Sequence, residues 1–360
     1  MPSSISSSDH EAVYQRPLPA LGASAWLALV VMLLLMAGWE AWVRAQGVTP
    51  SYRNSEDLWA EQRRRIDRGE GDGWVLTGSS RTLFDVQLGV WEQLDGRRPI
   101  QLALEGTSPV AVIEGLADDP DFTGKLLVGV APGLFFSGYE YRRPAIERYA
   151  TQTPAQWLGH RISLWVEPWL AFYESDFALP VILRRQPLSN RDGVEFDPEV
   201  RKLVNLERDR NARMWDRVEY DETYRELARS IWAYGWKPLA ERPPAVQKRI
   251  AEARVKQLDR AVAAVEKLTA RGVPVVFVQL PYEGHYATAE PNIAPRESTW
   301  DRLIERTGAI GLHFEDHREM QGYWLPEWSH MSASEADRFT ARLYPLIQRA
   351  LAERTRGESK

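Results

Sequence analysis

Trp74-Val75-Leu76-Thr77-Gly78-Ser79-Ser80-Arg81 is the stretch that decides how the globular part of this chain is read. A short apolar run stops at a glycine and two serines, and a helical pattern from about Thr82 to Leu94 follows. That is a strand, a tight turn and a helix. The same unit recurs downstream. Pro99–Leu104 predicts a second strand, followed by Gly106 and a helix from Pro109 to Ala117. Lys125–Val130 predicts a third strand, nearly all apolar, as a strand buried on both faces should be. Strands alternating with helices imply a parallel sheet covered by helices.

Beyond this point the alternation breaks. From about Gly133 to Pro244 the chain is rich in tryptophan and charge, with Trp157, Trp165, Trp169, Trp215, Trp232 and Trp236. It reads as one long insertion forming a helical cap; a separate small helical domain is the other reading. The stretches Ile162–Val166 and Phe177–Leu183 are apolar enough to touch a membrane surface, and buried packing is their expected use. After Pro244, Val255, Leu258, Val262, Val265 and Leu268 form one apolar helical stripe, which Gly272 ends. Pro274–Leu280 is the fourth strand, a helix covers Trp300 to Ile304, and a short fifth strand is expected near Leu312–Phe314. Ser332-x-x-Glu335 predicts a capping box opening a last helix to about Arg354.

Composition bounds the chemistry. The 360 residues contain no cysteine, so disulfides, zinc–thiolate sites and thiol nucleophiles are excluded. A net charge of −5 argues against a nucleic-acid binder, which needs a concentrated basic face. Fifteen tryptophans suit membrane interfaces and the flat faces of sugars.

From Pro17 to Trp39 no residue carries a formal charge, a stretch long enough to cross a bilayer of about 30 Å as a helix. Trp26, Trp39 and Trp42 sit towards its ends, as an aromatic belt would. A cleaved signal peptide ending at Val43-Arg44-Ala45 is the alternative, but its apolar core would be shorter. The expected organisation is a tail at 1–16, a transmembrane anchor at 17–43, a linker or helix at 44–71 and one α/β domain at 72–360 with the cap inserted at about 133–244. Arg16 alone precedes the span, whereas Arg44, Arg53 and Arg63–Arg65 follow it, which taken literally puts the domain in the cytoplasm. A long folded domain, however, translocates largely regardless of so small a bias.

A serine at the carboxyl end of a parallel strand lies where ligands collect, beside the free N–H groups of a helix start. Capping the helix is the other use of Gly78-Ser79-Ser80. Near the far end, Glu327-Trp328-Ser329-His330 places a carboxylate three residues before a histidine, within reach of its Nδ1–H. A surface or capping histidine is the alternative. His313-Phe-Glu-Asp-His317 offers oxygen and nitrogen ligands, yet in a strand the two histidines share no face, so a polar loop and no metal is expected. Tyr282-Glu-Gly-His285 follows the fourth strand and so lies on the rim of the first.

Gly-x-Ser after the first strand, a glycine loop after the second, and carboxylate-x-x-His before the last helix together resemble the SGNH/GDSL hydrolase superfamily. The Gly-Ser-Ser-Arg form with Leu104-Glu-Gly-Thr-Ser-Pro109 looks like a membrane-anchored bacterial branch of it. The resemblance spans about residues 72–132 and 272–355. It implies a flavodoxin-like three-layer αβα fold with a mostly parallel five-stranded sheet. It also implies Ser80 as nucleophile, His330 as base and Glu327 as its acid, with backbone N–H groups of Ser80 and Gly106 holding an oxyanion. Arg81, Thr107, Tyr282, His285 and Trp328 are the expected substrate contacts, and no cofactor is expected. The implied function is an esterase or O-acyltransferase on a cell-envelope glycan, single-pass in a bacterial inner membrane with its domain outside, alongside a membrane acyltransferase partner. A catalytically inactive scaffold or glycan-binding protein is the alternative. Ser79 replaces the aspartate of the family's first block, and Glu327 replaces an aspartate in the last. No asparagine follows the third strand in Val130–Phe136, where the family keeps a third oxyanion donor. Losing one such donor typically costs about 10²–10³ in rate; Arg81, Thr107 and Ser108 are the replacements within reach.

Overall fold

The computed structural model describes residues 21–184, 202–234 and 236–358. The expected tail and the first residues of the expected anchor lie outside them. Five strands, β1 (Trp74–Thr77), β2 (Ile100–Gln101), β3 (Lys125–Val130), β6 (Val275–Gln279) and β7 (Ile310–His313), form one sheet in the order β2-β1-β3-β6-β7. Every pairing in it is parallel. The remaining two strands, β4 (Val204–Leu206) and β5 (Ala212–Met214), pair antiparallel as a separate hairpin.

The sheet alternates its side chains between two cores, as the two-residue period requires. Val75, Leu126, Val128, Val130 and Phe277 face one core, filled by the helices Val110–Ala117, Pro244–Ala270 and Trp300–Thr307. Leu76, Leu127, Val276 and Val278 face the other, filled by Leu88–Asp95 and Ala333–Glu358. Gly129 in β3 is required by close approach. A Cβ there would lie 1.7 Å from Thr82 Oγ1, and one on Gly78 (φ +149) would lie 2.1 Å from the same atom. The helix carrying Ser80 therefore rests directly on the backbones of β1 and β3.

Several expectations are corrected. The helix expected from Thr82 to Leu94 is two helices, Ser80–Asp85 and Leu88–Asp95. The chain turns between them because Gln87 N–H is taken by Thr340 Oγ1 and Leu88 N–H by Asn211 Oδ1, replacing intrahelical acceptors. The second strand is shorter than Pro99–Leu104, although Leu102 and Leu104 N–H still bond to Leu76 and Gly78 carbonyls. Val255 is 58% exposed and off the packed stripe, since only the later half of its helix covers the sheet. Ser332 Oγ accepts from Glu335 N–H, but the Glu335 carboxylate turns to Arg338, so only half of the capping box forms.

The insertion is not purely helical. It contains the β4–β5 hairpin, whose turn holds Arg210 in the left-handed region (φ 67). Arg210 is fully buried and donates to the carbonyls of Gln101 (3.0 Å) and Ala103 (2.8 Å), which pins the hairpin to the edge of the sheet. The helix Leu21–Ala45 stands apart from these cores: it is long and apolar enough to cross a membrane, and Trp26, Leu27, Leu34 and Leu35 along it are two-thirds exposed.

Candidate active site

The segments that follow β1, β2 and β3, and the helix His285–Ile293 after β6, wall a cavity of about 1140 Å³, roofed by residues of the insertion. Ser80 and His330 both line it. They start from opposite ends of the globular chain. Ser80 is the first residue of its helix, and Ser79, at the N-cap, makes no side-chain capping bond. The first-turn N–H groups are thus left free of a side-chain acceptor.

His330 is held on three sides. Its Nδ1 lies 2.8 Å from Glu327 Oε1, which also accepts the His330 backbone N–H at 2.6 Å. The other carboxylate oxygen, Oε2, accepts from Trp232 Nε1 of the insertion. Glu327 is fully buried and acceptor-only, so Nδ1 carries the proton and Nε2 presents a lone pair. That Nε2 is buried with no hydrogen-bond partner among the described residues. The ring stacks on Phe84 with centroids 4.2 Å apart. Phe84 sits one turn after Ser80 on the same short helix; Ser80 and His330 share the cavity wall, with no hydrogen bond between the serine hydroxyl and Nε2.

The turn carrying Glu327 and His330 is itself constrained. Trp328 occupies the left-handed region (φ 73), a conformation costly for a bulky residue. Its indole lies against Gly284, where any Cβ would come within 2.5 Å of the ring. Glu283 N–H donates to Trp328 carbonyl at 2.9 Å, tying the turn to the loop after β6.

Arg81 is buried beside Ser80. Its Nη2 pairs with Glu290 Oε1 at 3.0 Å and its Nε donates to Ser329 Oγ at 3.2 Å. Its guanidinium lies 4.7 Å from the centre of the Tyr282 ring and 5.0 Å from that of Tyr286. Nη1 is buried and unpartnered among the described residues, and Arg81 is part of the cavity wall. Of the three replacements considered for the absent oxyanion donor, it alone lies there with a free donor. Thr107 is buried, bonded to Glu105 carbonyl and Arg142 N–H, and Ser108 Oγ is committed to Phe135 carbonyl. Gly106 (φ +57) lines the cavity. Thr107, Tyr282, His285 and Trp328, expected as substrate contacts, stand behind the lining and not in it. Burial pushes the Tyr282 hydroxyl up to about 12, and the His285 ring meets Trp236 edge-on.

The loop after β3, Ala131-Pro132-Gly133, contributes backbone and no side-chain donor; Gly133 N–H is taken by Glu290 Oε2 at 3.0 Å. The cavity is also lined by Asn54, Trp232, Trp236, Tyr286 and Glu290, none of which the sequence singles out for chemistry. Among the described residues no group of three histidine or acidic side chains is placed to hold a metal ion. His313 is buried between Trp300 and Phe314, and burial pushes it down to about 4.

Asp85 is the least expected member. It ends the Ser80 helix fully buried, with Oδ1 accepting Met331 N–H at 2.9 Å and Oδ2 unpartnered among the described residues. Burial pushes its carboxyl up to about 7 from the usual 3.8, against the pull of His330. The native state thus binds a proton that the unfolded chain releases near pH 4, and stability falls as pH rises from about 4 to about 7. The full effect is about 4 kcal/mol. Protonated Asp85 and an asparagine carry comparable unpaired donors, so Asp85→Asn should match wild type at pH 4 and melt at higher temperature at pH 8. Thermal unfolding in detergent at the two pH values checks this; equal differences at both would remove the buried charge as the cause.

No protein-family model and no curated protein matches the chain.

Proposed function

We propose that this chain is a membrane-anchored, SGNH-like serine esterase or O-acyltransferase acting on acyl esters of a cell-envelope glycan. One observation carries the reading: an imidazole whose Nδ1 is bonded to a buried carboxylate, and whose Nε2 has no partner among the described residues, lines the same cavity as Ser80. A serine hydroxyl is almost never ionised at neutral pH and needs such a base. The order β2-β1-β3-β6-β7, with helices on both faces, supports the flavodoxin-like three-layer arrangement and puts Ser80 at the carboxyl edge where that fold binds ligands.

In the proposed cycle Ser80 Oγ attacks the ester carbonyl as His330 Nε2 takes its proton. Glu327 stabilises the imidazolium that results. The N–H groups of Ser80 and Gly106, with Arg81 Nη1 in place of the absent asparagine, hold the oxyanion. Collapse expels the alcohol, which regains the proton from His330. Water or a sugar hydroxyl then attacks the acyl-serine, His330 takes its proton, and Ser80 is restored. Trp232, Trp236 and Tyr141 in the cavity supply flat faces for sugar rings. The helix Gly22–Ala45 serves as the anchor, with the domain outside the cytoplasm and a membrane acyltransferase as partner.

The bare end of β3 favours a second reading, a non-catalytic glycan-binding scaffold. A fluorophosphonate probe separates the two. Under the first reading it is expected to modify wild-type protein at Ser80 and to leave folded His330→Ala nearly unlabelled. A folded wild type that resists the probe favours the scaffold.

A further inference from the structure

We infer that one face of the insertion lies in the headgroup region of the bilayer that the Leu21–Ala45 helix enters. The inference rests on the reading of that helix as an anchor. It starts from the helix Pro154–Val166, where His160 and Leu164 form the buried side, His160 Nε2 lying 2.7 Å from Glu61. The opposite side is apolar and open to solvent. Leu158 is 55% exposed, Ile162 56% and Trp165 75%, and Trp169, just beyond the helix, is 69% exposed, while Trp157 (49%) flanks the buried side. Leu179 and Leu183 on the next helix, Leu179–Arg184, are about half exposed.

What covers this face is set by its attachment. Arg44 Nη2 donates to Trp169 carbonyl at 3.0 Å. The Glu40 carboxylate accepts Ala171 N–H at 3.0 Å and Phe172 N–H at 2.9 Å. Val43, in the last turn of the same helix, and Val48, three residues beyond its end, pack with Ala171 and Phe177 in one buried cluster. The end of the apolar helix is therefore bonded to the very turn that follows Trp169. With the helix inserted, that turn sits at the membrane surface and takes the exposed tryptophans with it. Tryptophan belongs at that depth, its ring apolar and its indole N–H wet. Arg161, 5.3 Å from the Trp157 ring centre, suits an anionic headgroup. Glu174 and Ser175, next in the chain after the docked turn, belong to the cavity wall, so the seated face brings the cavity to the bilayer surface.

The chain has no cysteine, so a single introduced thiol is the sole labelling site. Spin labels on Ile162→Cys, Trp165→Cys and Trp169→Cys of the full chain would be read in phosphatidylcholine–phosphatidylglycerol vesicles. Leu33→Cys serves as the buried reference and Arg302→Cys as the aqueous one, each variant melting as wild type. Collision with oxygen relative to a polar nickel chelate should be several-fold higher at 162, 165 and 169 than at 302, and highest at 33. Aqueous values at the three face positions, with 33 in lipid, overturn the inference and leave the anchor intact. Shielding of those positions from both reagents assigns the face to a protein, a second copy included, and also overturns it. An aqueous value at 33 removes the anchor reading and the inference together.

Discussion

Ser80→Ala is expected to lower kcat for ester cleavage by about 10⁴-fold or more while leaving the fold and KM close to wild type. The hydroxyl is small and partly buried at the first position of its helix, and Ser80 belongs to none of the buried apolar clusters, so its removal takes no core contact away. What it removes is the atom that the proposed cycle acylates. His330→Ala should cost nearly as much, and the double variant little more than either, because the two act on one proton transfer. Hydrolysis of aryl and sugar acetates by purified protein in detergent is the measurement. A folded Ser80→Ala protein that equals wild type on every ester would assign the cavity to binding alone.

Glu327→Gln should lower kcat by about 10²–10⁴-fold, with Trp232 displaced as a second signature. All three groups that meet this carboxylate are donors: His330 N–H, His330 Nδ1–H and Trp232 Nε1–H. An amide has only one oxygen. Turned to His330 it keeps the ring oriented but sets its NH₂ against the indole N–H; turned to Trp232 it drives the proton of His330 to the wrong nitrogen. Either way the imidazolium formed during attack loses its counter-charge. Steady-state kinetics report the loss, and the emission of Trp232, isolated by comparison with Trp232→Phe, reports the displacement. Unchanged kcat with unchanged emission would show that the carboxylate is structural only.

The sheet was legible because parallel strands buried on both faces write themselves as apolar runs. Lys125–Val130 falls on the expected residues, and β6 and β7 fall within two residues of them. The β4–β5 hairpin was not legible. Its strands are three residues each, and they flank a charged turn in which the buried Arg210 reads as surface until its carbonyl partners are seen. Ser80, Glu327 and His330 were readable because each sits in a local motif at a strand or helix boundary. Arg81–Glu290 and Trp232–Glu327 were not, since each pair joins distant parts of the chain that no spacing rule connects. Asp85 looks like an ordinary helix residue, and only its burial reveals that its carboxyl is pushed up. Ile162–Val166 and Phe177–Leu183 read as buried packing, yet Ile162, Trp165, Leu179 and Leu183 are exposed; the same apolar stripe serves a core or a membrane, and composition does not choose.

The acid that steadies the imidazole divides its two oxygens between the body of the molecule and the roof of the cavity. Trp232 is at once the donor to one of them and a surface that an incoming molecule must touch. A guest that pushes this indole aside by the length of one bond leaves a carboxylate oxygen bare and slackens the ring it supports; a guest that presses it home does the reverse. Under the proposed function, recognition overhead would be converted into readiness below, and a poorly fitting molecule would disarm the base.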